Sequence, residues 1–310
     1  MTGQGVDAHQ HFWELARGDY GWLTPALTPI YRDYGPADLR PLLAAAGIAR
    51  TILVQAAPTE AETDYLLAVA AAAPFVAGVV GWIDLEAADA PTRVRRAAAR
   101  PKLVGVRPMI HDIADDSWVL RPALAAALSS VSEAGLVFDA LVRPRHLPVL
   151  AELTTRHPAL RIVIDHAAKP DIARWRPGDA EFRDWSTRMA GLAARGLACK
   201  LSGLATEARP DWQPAHLRPY VDSVLDAFGP DRVIWGSDWP VVERAGGYAR
   251  WRQATNELLG RLPEMSRAAI LGATAARIYR VPAEACLPRP DNGDDDPIAE
   301  RTPCEIPRKE

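Results

Sequence analysis

Three observations predict that this chain of 310 residues folds as one α/β domain, a (β/α)8 TIM barrel. Eight short apolar runs recur along it, each is followed by a helical Ala- and Leu-rich stretch, and the repeat is about 30 residues long. Eight parallel strands are the number that closes such a barrel. An open dinucleotide-binding sheet needs a glycine-rich turn after its first strand, but here Gly3 and Gly5 precede that strand. We therefore expect the barrel to span residues 1–281.

The strand candidates are compact and rich in β-branched residues, and their near-continuous apolar character predicts burial on both faces. In chain order they are Val6–His11, Thr51–Ala56, Val76–Asp84, Leu103–Met109, Leu136–Val142, Arg161–Ala167, Leu197–Leu204 and Arg232–Trp239. Helices are expected between them. Thr59 and Glu62 have the spacing of a capping box, and Gly47 and Gly135 stand where helices should end.

The periodicity stops after Val281. Residues 282–310 are rich in proline and carry the acidic run Asp294–Asp296. This composition predicts an extended or disordered tail. Such a tail either keeps the end of the chain soluble or straps a neighbouring subunit, which leaves a homo-oligomer open.

Composition and charge exclude several classes of function. The chain has 36 Lys and Arg against 39 Asp and Glu, a net charge of -3, and no long basic run, so no nucleic-acid partner is expected. It shows neither a leader with a basic flank nor a run of about 18 apolar residues, so we expect no export and no membrane insertion. The three cysteines lack C-x-x-C spacing, which indicates neither a disulfide framework nor a cysteine zinc site. The expected location is the cytoplasm.

Polar residues near three strand ends are the candidates for catalysis, because active sites of closed parallel barrels lie at the C-terminal ends of the strands. Strand one ends with His9 and His11, whose two-residue spacing puts both imidazoles on one face. By the same parity His166 faces inward, and Asp238 shares the face of Gly236, where a missing side chain leaves space. A buried carboxylate there needs a cation, a metal or a proton. The four side chains predict a site for zinc or another divalent ion, or a metal-free hydrolytic centre with Asp238 as the base.

These residues lie in motifs that resemble the amidohydrolase superfamily, specifically the TIM-barrel lactonases of amidohydrolase family 2. The motifs are Asp-Ala-His-Gln-His-Phe-Trp at 7–13, Gly-Val-Arg-Pro-Met at 105–109, Asp-His-Ala-Ala-Lys-Pro at 165–170, Lys-Leu-Ser-Gly-Leu at 200–204 and Gly-Ser-Asp-Trp-Pro at 236–240. The resemblance covers nearly all of residues 6–281. It implies a hydrolase that opens the lactone ring of a sugar acid such as L-fuconolactone, or else a pyrone- or muconate-type lactone.

One departure from the superfamily bears on metal content. Binuclear members carry a carboxylated lysine at the end of strand four, whereas this chain has Arg107 at the matching position. We therefore expect at most one ion, with zinc favoured and a metal-independent enzyme as the alternative. Its ligands would come from His9, His11, His166 and Asp238. His111 is an extra loop ligand, a substrate contact or a solvated loop histidine.

Four further residues are candidates for substrate binding. Arg107 and Lys200 are cations on barrel strands, and a buried cation needs an anion, either a substrate oxygen or an internal carboxylate, Asp139 or Asp238. Trp13 and Trp239 flank the proposed catalytic residues, where their rings can lie against the C–H face of a sugar ring.

Together these observations predict a lactonase in which Asp238 activates water and histidines, a cation or a metal polarise the carbonyl oxygen. A lactone suits such a site because its carbonyl is more electrophilic than that of an amide. Two alternatives remain. One is a superfamily decarboxylase of an aromatic carboxylate, and the other is a catalytically silent sugar-binding barrel, which has little reason to keep Asp238 at its mouth.

Overall fold

The computed structural model describes residues 5–281, and its centre is an eight-stranded parallel sheet in which each strand pairs with the next along the chain. The strands are β1 (Gly5–Gln10), β2 (Ile48–Val54), β3 (Val76–Gly81), β4 (Leu103–Val106), β5 (Val137–Ala140), β6 (Ile162–Ile164), β7 (Ala198–Leu201) and β8 (Val233–Trp235). This order confirms the predicted TIM barrel. The predicted tail, residues 282–310, lies outside the described residues.

Helices cover the outside of the sheet. They are α1 (Pro36–Ala46), α2 (Glu60–Ala72), α3 (Ala90–Ala98), α4 (Ala125–Glu133), α5 (Leu147–Arg156), α6 (Ala180–Ala194), α7 (Pro214–Phe228), α8 (Gly247–Leu259), α9 (Glu264–Ala268) and α10 (Thr274–Tyr279). Gly47 and Gly135 follow α1 and α4 in the left-handed conformation, as the sequence predicts. Among residues 5–281, no helix has the length and apolar character needed to cross a bilayer.

Several predicted strands extend too far at their carboxyl ends. β6 ends at Ile164 rather than Ala167, and β8 ends at Trp235 rather than Trp239. The apolar residues beyond these points imitate a strand in the sequence, but they pack in loops above the barrel. The candidate catalytic residues that follow β6 and β8 therefore lie on turns, where strand parity does not determine the side-chain direction.

The first and last strands meet and close the barrel. Gln10 and Trp239 form a parallel bridge, and the Asp238 N–H donates to the His9 carbonyl oxygen at 2.8 Å. The backbones come so close that a Cβ on Gly236 would lie 2.6 Å from the Cβ of His9. The space predicted beside Gly236 is thus filled by the His9 segment, and only glycine fits there.

Two apolar layers hold the fold together. The larger layer lies between the sheet and the helices. The smaller fills the barrel and consists of Val6, Ala8, Ile52, Val54, Val80, Val137, Val163, Ala198 and Ile234, closed by residues around α10. One step further along β5 and β7, the inward positions change to Asp139 and Lys200, which are fully buried. The site is built on this change from apolar to charged residues.

Candidate active site

An irregularity in β1 directs His9 into the barrel mouth. Between the pairs Asp7–Thr51 and Gln10–Leu53, β1 advances by three residues while β2 advances by two. The extra residue is a β-bulge, which re-aims the side chains that follow it. The bulge therefore explains how His9 faces the interior of the barrel.

His166 and Asp238 reach the same place from left-handed turns. Their φ angles are 53° and 59°, and neither residue lies on a strand, so the parity argument for them is wrong although both side chains enter the mouth. Gly203 makes room for His166, because a Cβ there would lie 2.5 Å from the histidine Nδ1. The Ser202 hydroxyl lies 2.9 Å from that nitrogen and fixes the ring.

Three imidazoles surround one oxygen of Asp238. Its Oδ1 lies 3.4 Å from Nε2 of His11, 3.7 Å from Nε2 of His9 and 3.9 Å from Nε2 of His166. None of the four side chains is more than 5% exposed. The structure thus brings together the four residues that the sequence singles out.

The protonation of His11 tests whether these residues fit a metal ion. Its Nδ1 lies 2.8 Å from the Val54 carbonyl oxygen, which can only accept, so Nδ1 carries the proton. In the neutral ring, the Nε2 lone pair then faces the carboxylate of Asp238. Two electron-rich atoms at this distance need a positive charge between them, either a proton or a metal ion. Ligand atoms of His9, His11 and Asp238 all lie within 4.8 Å of one another, so the donor set fits one divalent ion.

A balanced group of charges lies beneath these ligands. Lys200 forms an ion pair with Asp139, lies 3.0 Å from Asp165, and approaches Nδ1 of His9 at 3.2 Å. Arg107 contacts Asp165 and Nε2 of His9, each at 3.3 Å. Lys200 is fully buried and is absent from the pocket wall, so its anions are internal carboxylates. Of the two alternatives that the sequence leaves open for Lys200, this placement supports the internal ion pair over substrate binding.

Burial and these partners set the charges. Burial holds the pKa of His166 well below the usual histidine value, and burial together with the Lys200 charge does the same for His9. Burial acts to raise the pKa of Asp238, but the facing His166 and His11 outweigh it and keep that pKa below the ordinary carboxyl value. At neutral pH the mouth therefore holds a carboxylate that can accept a proton.

A cavity of about 220 Å³ opens above Asp238. Its wall includes His11, Trp22, Arg107, Met109, His111, Asp112, His166, Lys169 and Arg244. The Nε of Arg107 is buried and has no hydrogen-bond partner in the part of the chain that the structure describes. Because Arg107 also lines the cavity, this unsatisfied N–H makes it the candidate donor to an oxygen of the substrate.

His111 lies in this wall rather than in solvent. Its side chain is 13% exposed, and burial lowers its pKa to about 3, so the ring is neutral. Nε2 lies 3.1 Å from a carboxylate oxygen of Asp112, but neither ring nitrogen has a hydrogen-bond partner among residues 5–281. Of the three predicted alternatives, the solvated loop histidine is therefore wrong.

The two tryptophans predicted to bind substrate stand behind the wall. Trp13 and Trp239 are at most 2% exposed, and both rings pack against Tyr34. Neither lines the cavity, which argues against direct contact with a ligand. Trp22 faces the cavity instead, held by a 2.7 Å hydrogen bond from its Nε1 to Ala56. Sequence alone ranks these rings by how near they stand along the chain to the proposed catalytic residues, which does not reveal which ring the loop turns inward.

A TIM barrel whose mouth gathers three histidines and an aspartate is typical of an amidohydrolase. The family model described as amidohydrolase matches residues 6–281, and the chain belongs to this family.

Named relatives narrow the comparison. The chain is 48% identical over 284 residues to an L-fucono-1,5-lactonase of Burkholderia ambifaria, covering 89% of this chain and 95% of the relative. It is 37% identical over 296 residues to an L-fucono-1,5-lactonase of Burkholderia multivorans, covering 90% and 97%. A crystal structure of an amidohydrolase from Burkholderia multivorans with bound zinc superposes with a TM-score of 0.84 at 36% identity, covering 90% of this chain and 99% of the other.

Proposed function

We propose that this protein is a lactonase that hydrolyses the ring ester of a sugar acid, with L-fucono-1,5-lactone as the first substrate to test. The observation that carries the proposal is the buried carboxylate of Asp238, which faces three imidazoles at the floor of an open cavity. The names of the two relatives described above support the same substrate class.

In the proposed reaction, Asp238 takes a proton from the water that attacks the lactone carbonyl. A general base of this kind contributes roughly 10²- to 10⁴-fold to the rate. Arg107 donates its free Nε–H to the developing oxyanion or to the ring oxygen, since a guanidinium stays protonated and can only donate. The protonated Asp238 then returns its proton to the alkoxide that leaves when the ring C–O bond breaks.

A single zinc ion is part of this proposal. Its ligands would come from His9, His11, His166 and Asp238, and of these His9, His11 and Asp238 offer atoms that all lie within 4.8 Å of one another. The Asp165 oxygen that lies 3.5 Å from Nδ1 of His9 would support that ligand from behind. The ion supplies Lewis acidity toward a carbonyl oxygen when it is bound. Elemental analysis should find at most one tightly held ion per chain. Two tightly held ions would contradict this site.

The activity test is a pH-stat screen of L-fucono-1,5-lactone and other aldonolactones, with and without a chelator. Asp238→Asn keeps the volume but loses the basicity, so turnover should fall about 10²- to 10⁴-fold. Asp211→Asn, on a side chain that is 76% exposed, is the matched control and should retain full activity. Hydrolysis by Asp238→Asn within threefold of the parent would show that Asp238 is not the base. Release of carbon dioxide from aromatic carboxylates would favour the decarboxylase alternative.

The location and assembly of the protein stay predictions. We keep the cytoplasm as the expected compartment. Whether the chain forms a homo-oligomer is measured by light scattering on the full-length protein.

A further inference from the structure

A second cleft adjoins the catalytic cavity. It has a volume of about 520 Å³, which lies within the range of small-molecule sites. It shares Trp22, Met109 and Asp112 with the wall of the catalytic cavity. The two cavities therefore meet at these three side chains, which places the cleft next to the ring that Asp238 would hold.

Aromatic and apolar side chains form most of its wall. Trp22, Trp82 and Trp118 all line it, together with Ile83, Leu85, Ile113, Pro58 and Pro108. Flat aromatic surfaces suit the C–H faces of a sugar ring, and polar groups at the edges then orient the hydroxyls.

Two buried polar atoms in this wall lack partners. Trp118 is 5% exposed, yet its Nε1–H has no acceptor within the described part of the chain. Asp19 accepts from Arg17 at 2.7 Å through Oδ2, while its buried Oδ1 has no donor there. A donor and an acceptor left unsatisfied in the wall of one cleft gain partners when small side-chain rotations turn them toward a ligand that can both accept and donate hydrogen bonds, as a hydroxyl does.

The charge of the wall selects against an acidic ligand. Asp19, Asp84, Glu86 and Asp112 all lie in it, and the described lining includes no lysine or arginine. Glu86 is already paired with Arg121 at 2.8 Å. A neutral ring with several hydroxyls can donate to the free oxygen of Asp19. It also brings no negative charge that these carboxylates would repel.

We propose that this cleft is an accessory subsite that binds a second, neutral sugar ring linked to the ring held at Asp238. The inference rests on the proposed lactonase function for the first ring, and it extends the substrate class to lactones of glycosylated sugar acids.

The test is calorimetry of binding, which needs no turnover. The probes are gluconate and three glycosyl gluconates that place the second ring differently: lactobionate, maltobionate and melibionate. At least one glycosyl gluconate should bind at least tenfold more tightly than gluconate. If none of the three gains threefold over gluconate, or if no probe binds, the subsite is wrong. If a glycosyl gluconate gains this affinity but the parent protein hydrolyses no lactone, the proposed function is contradicted and the subsite is not.

Variants locate the gain. Trp118→Phe removes the indole N–H and keeps an aromatic ring. Asp19→Asn replaces the carboxylate, including its unpaired oxygen, by a neutral amide. Each should reduce the ratio of glycosyl gluconate to gluconate affinity at least threefold, with gluconate binding unchanged. Trp185→Phe is the matched control, because Trp185 is buried behind the sheet and donates to Ala167. An affinity ratio that is equal in Trp118→Phe, Asp19→Asn and the parent would overturn the proposal.

Discussion

Asp165 and Asp238 are both buried carboxylates, yet their surroundings suit them to different roles. Asp165 contacts Lys200 and Arg107. Burial opposes ionisation of Asp165, but the Lys200 charge outweighs it and holds the pKa well below the usual value. Asp165 therefore stays charged and positions its neighbours. Asp238 faces three imidazoles and the open cavity, so it can take up a proton during a reaction.

Arg107 stands between these two environments. One side of its guanidinium contacts Asp165, whereas Nε has no protein partner among the described residues. Arg107→Lys keeps the charge but loses the planar donor group, so kcat/KM should fall at least tenfold, about 1.4 kcal/mol. Arg107→Met should lower it further. Steady-state kinetics and melting are measured on both variants, with the surface variant Arg145→Lys as control.

A different result would assign Arg107 a purely structural role. In that case the melting temperature falls while kcat/KM stays within threefold of the parent, because only the contact with Asp165 matters.

At the scale of elements, the sequence predicts the order of strands and helices. The spacing of apolar residues and the glycine and capping residues that end each element are local features of the chain. The half of the predicted capping box that depends on Thr59 is present, since its hydroxyl accepts from the Glu62 N–H at 3.0 Å. The other half is absent. The Glu62 carboxylate turns away to bind Tyr20 at 2.7 Å and the Ala56 N–H at 3.1 Å. It fastens the aromatic loop after β1, a long-range contact that no local pattern encodes.

This fastening should make stability depend on pH. Burial raises the pKa of Glu62 from 4.5 to about 7. The folded state then holds the proton more tightly than the unfolded chain. The stabilisation of the folded state by this proton is complete below about pH 4.5 and is lost as the pH rises through about 7. Its loss lowers the free energy of unfolding by an amount on the order of 3 kcal/mol. Glu62→Gln removes it, so the variant should gain stability relative to the parent between about pH 5 and about pH 8.

Urea unfolding at the two pH values measures this change. Glu133→Gln, on the exposed end of α4, is the control and should follow the parent at both. A difference between Glu62→Gln and the parent that does not vary with pH would mean that the Glu62 carboxyl is not protonated in the folded protein.

At the scale of the whole molecule, barrel closure accounts for what the sequence could and could not foretell. The eight-strand order predicts that His9 and Asp238 meet, because strands one and eight are neighbours in a closed ring. Whether an inward-pointing charged side chain faces the cavity or the apolar interior of the barrel depends on its height along the barrel axis. That height is set by the shear of the sheet and by the bulge in β1. This is why Lys200 lies beneath the cavity, whereas Arg107 on β4's carboxyl side reaches its wall.

The buried charges act as one balanced unit, and removing a single member should unbalance it. Lys200→Met leaves Asp139 and Asp165 facing each other with only Arg107 to compensate, so the free energy of unfolding should fall by about 3–5 kcal/mol. Lys200→Met combined with Asp139→Asn removes one charge of each sign. The double variant should therefore recover much of the loss, giving a favourable coupling on the order of 1–3 kcal/mol in a double-mutant cycle.

Urea unfolding of both single variants and of the double variant measures this coupling. Lys102→Met is the control, because the Lys102 ammonium is part-buried but donates only to the backbone carbonyls of Ala70 and Val76. Its loss should be smaller, and it should not couple to Asp139→Asn, since the two sites share no partner. A stable Lys200→Met variant with a raised KM for the lactone would mean that the ammonium contacts substrate after all. Loss of stability that the second substitution relieves would instead show that Lys200 serves the barrel by neutralising the carboxylates on which the site rests.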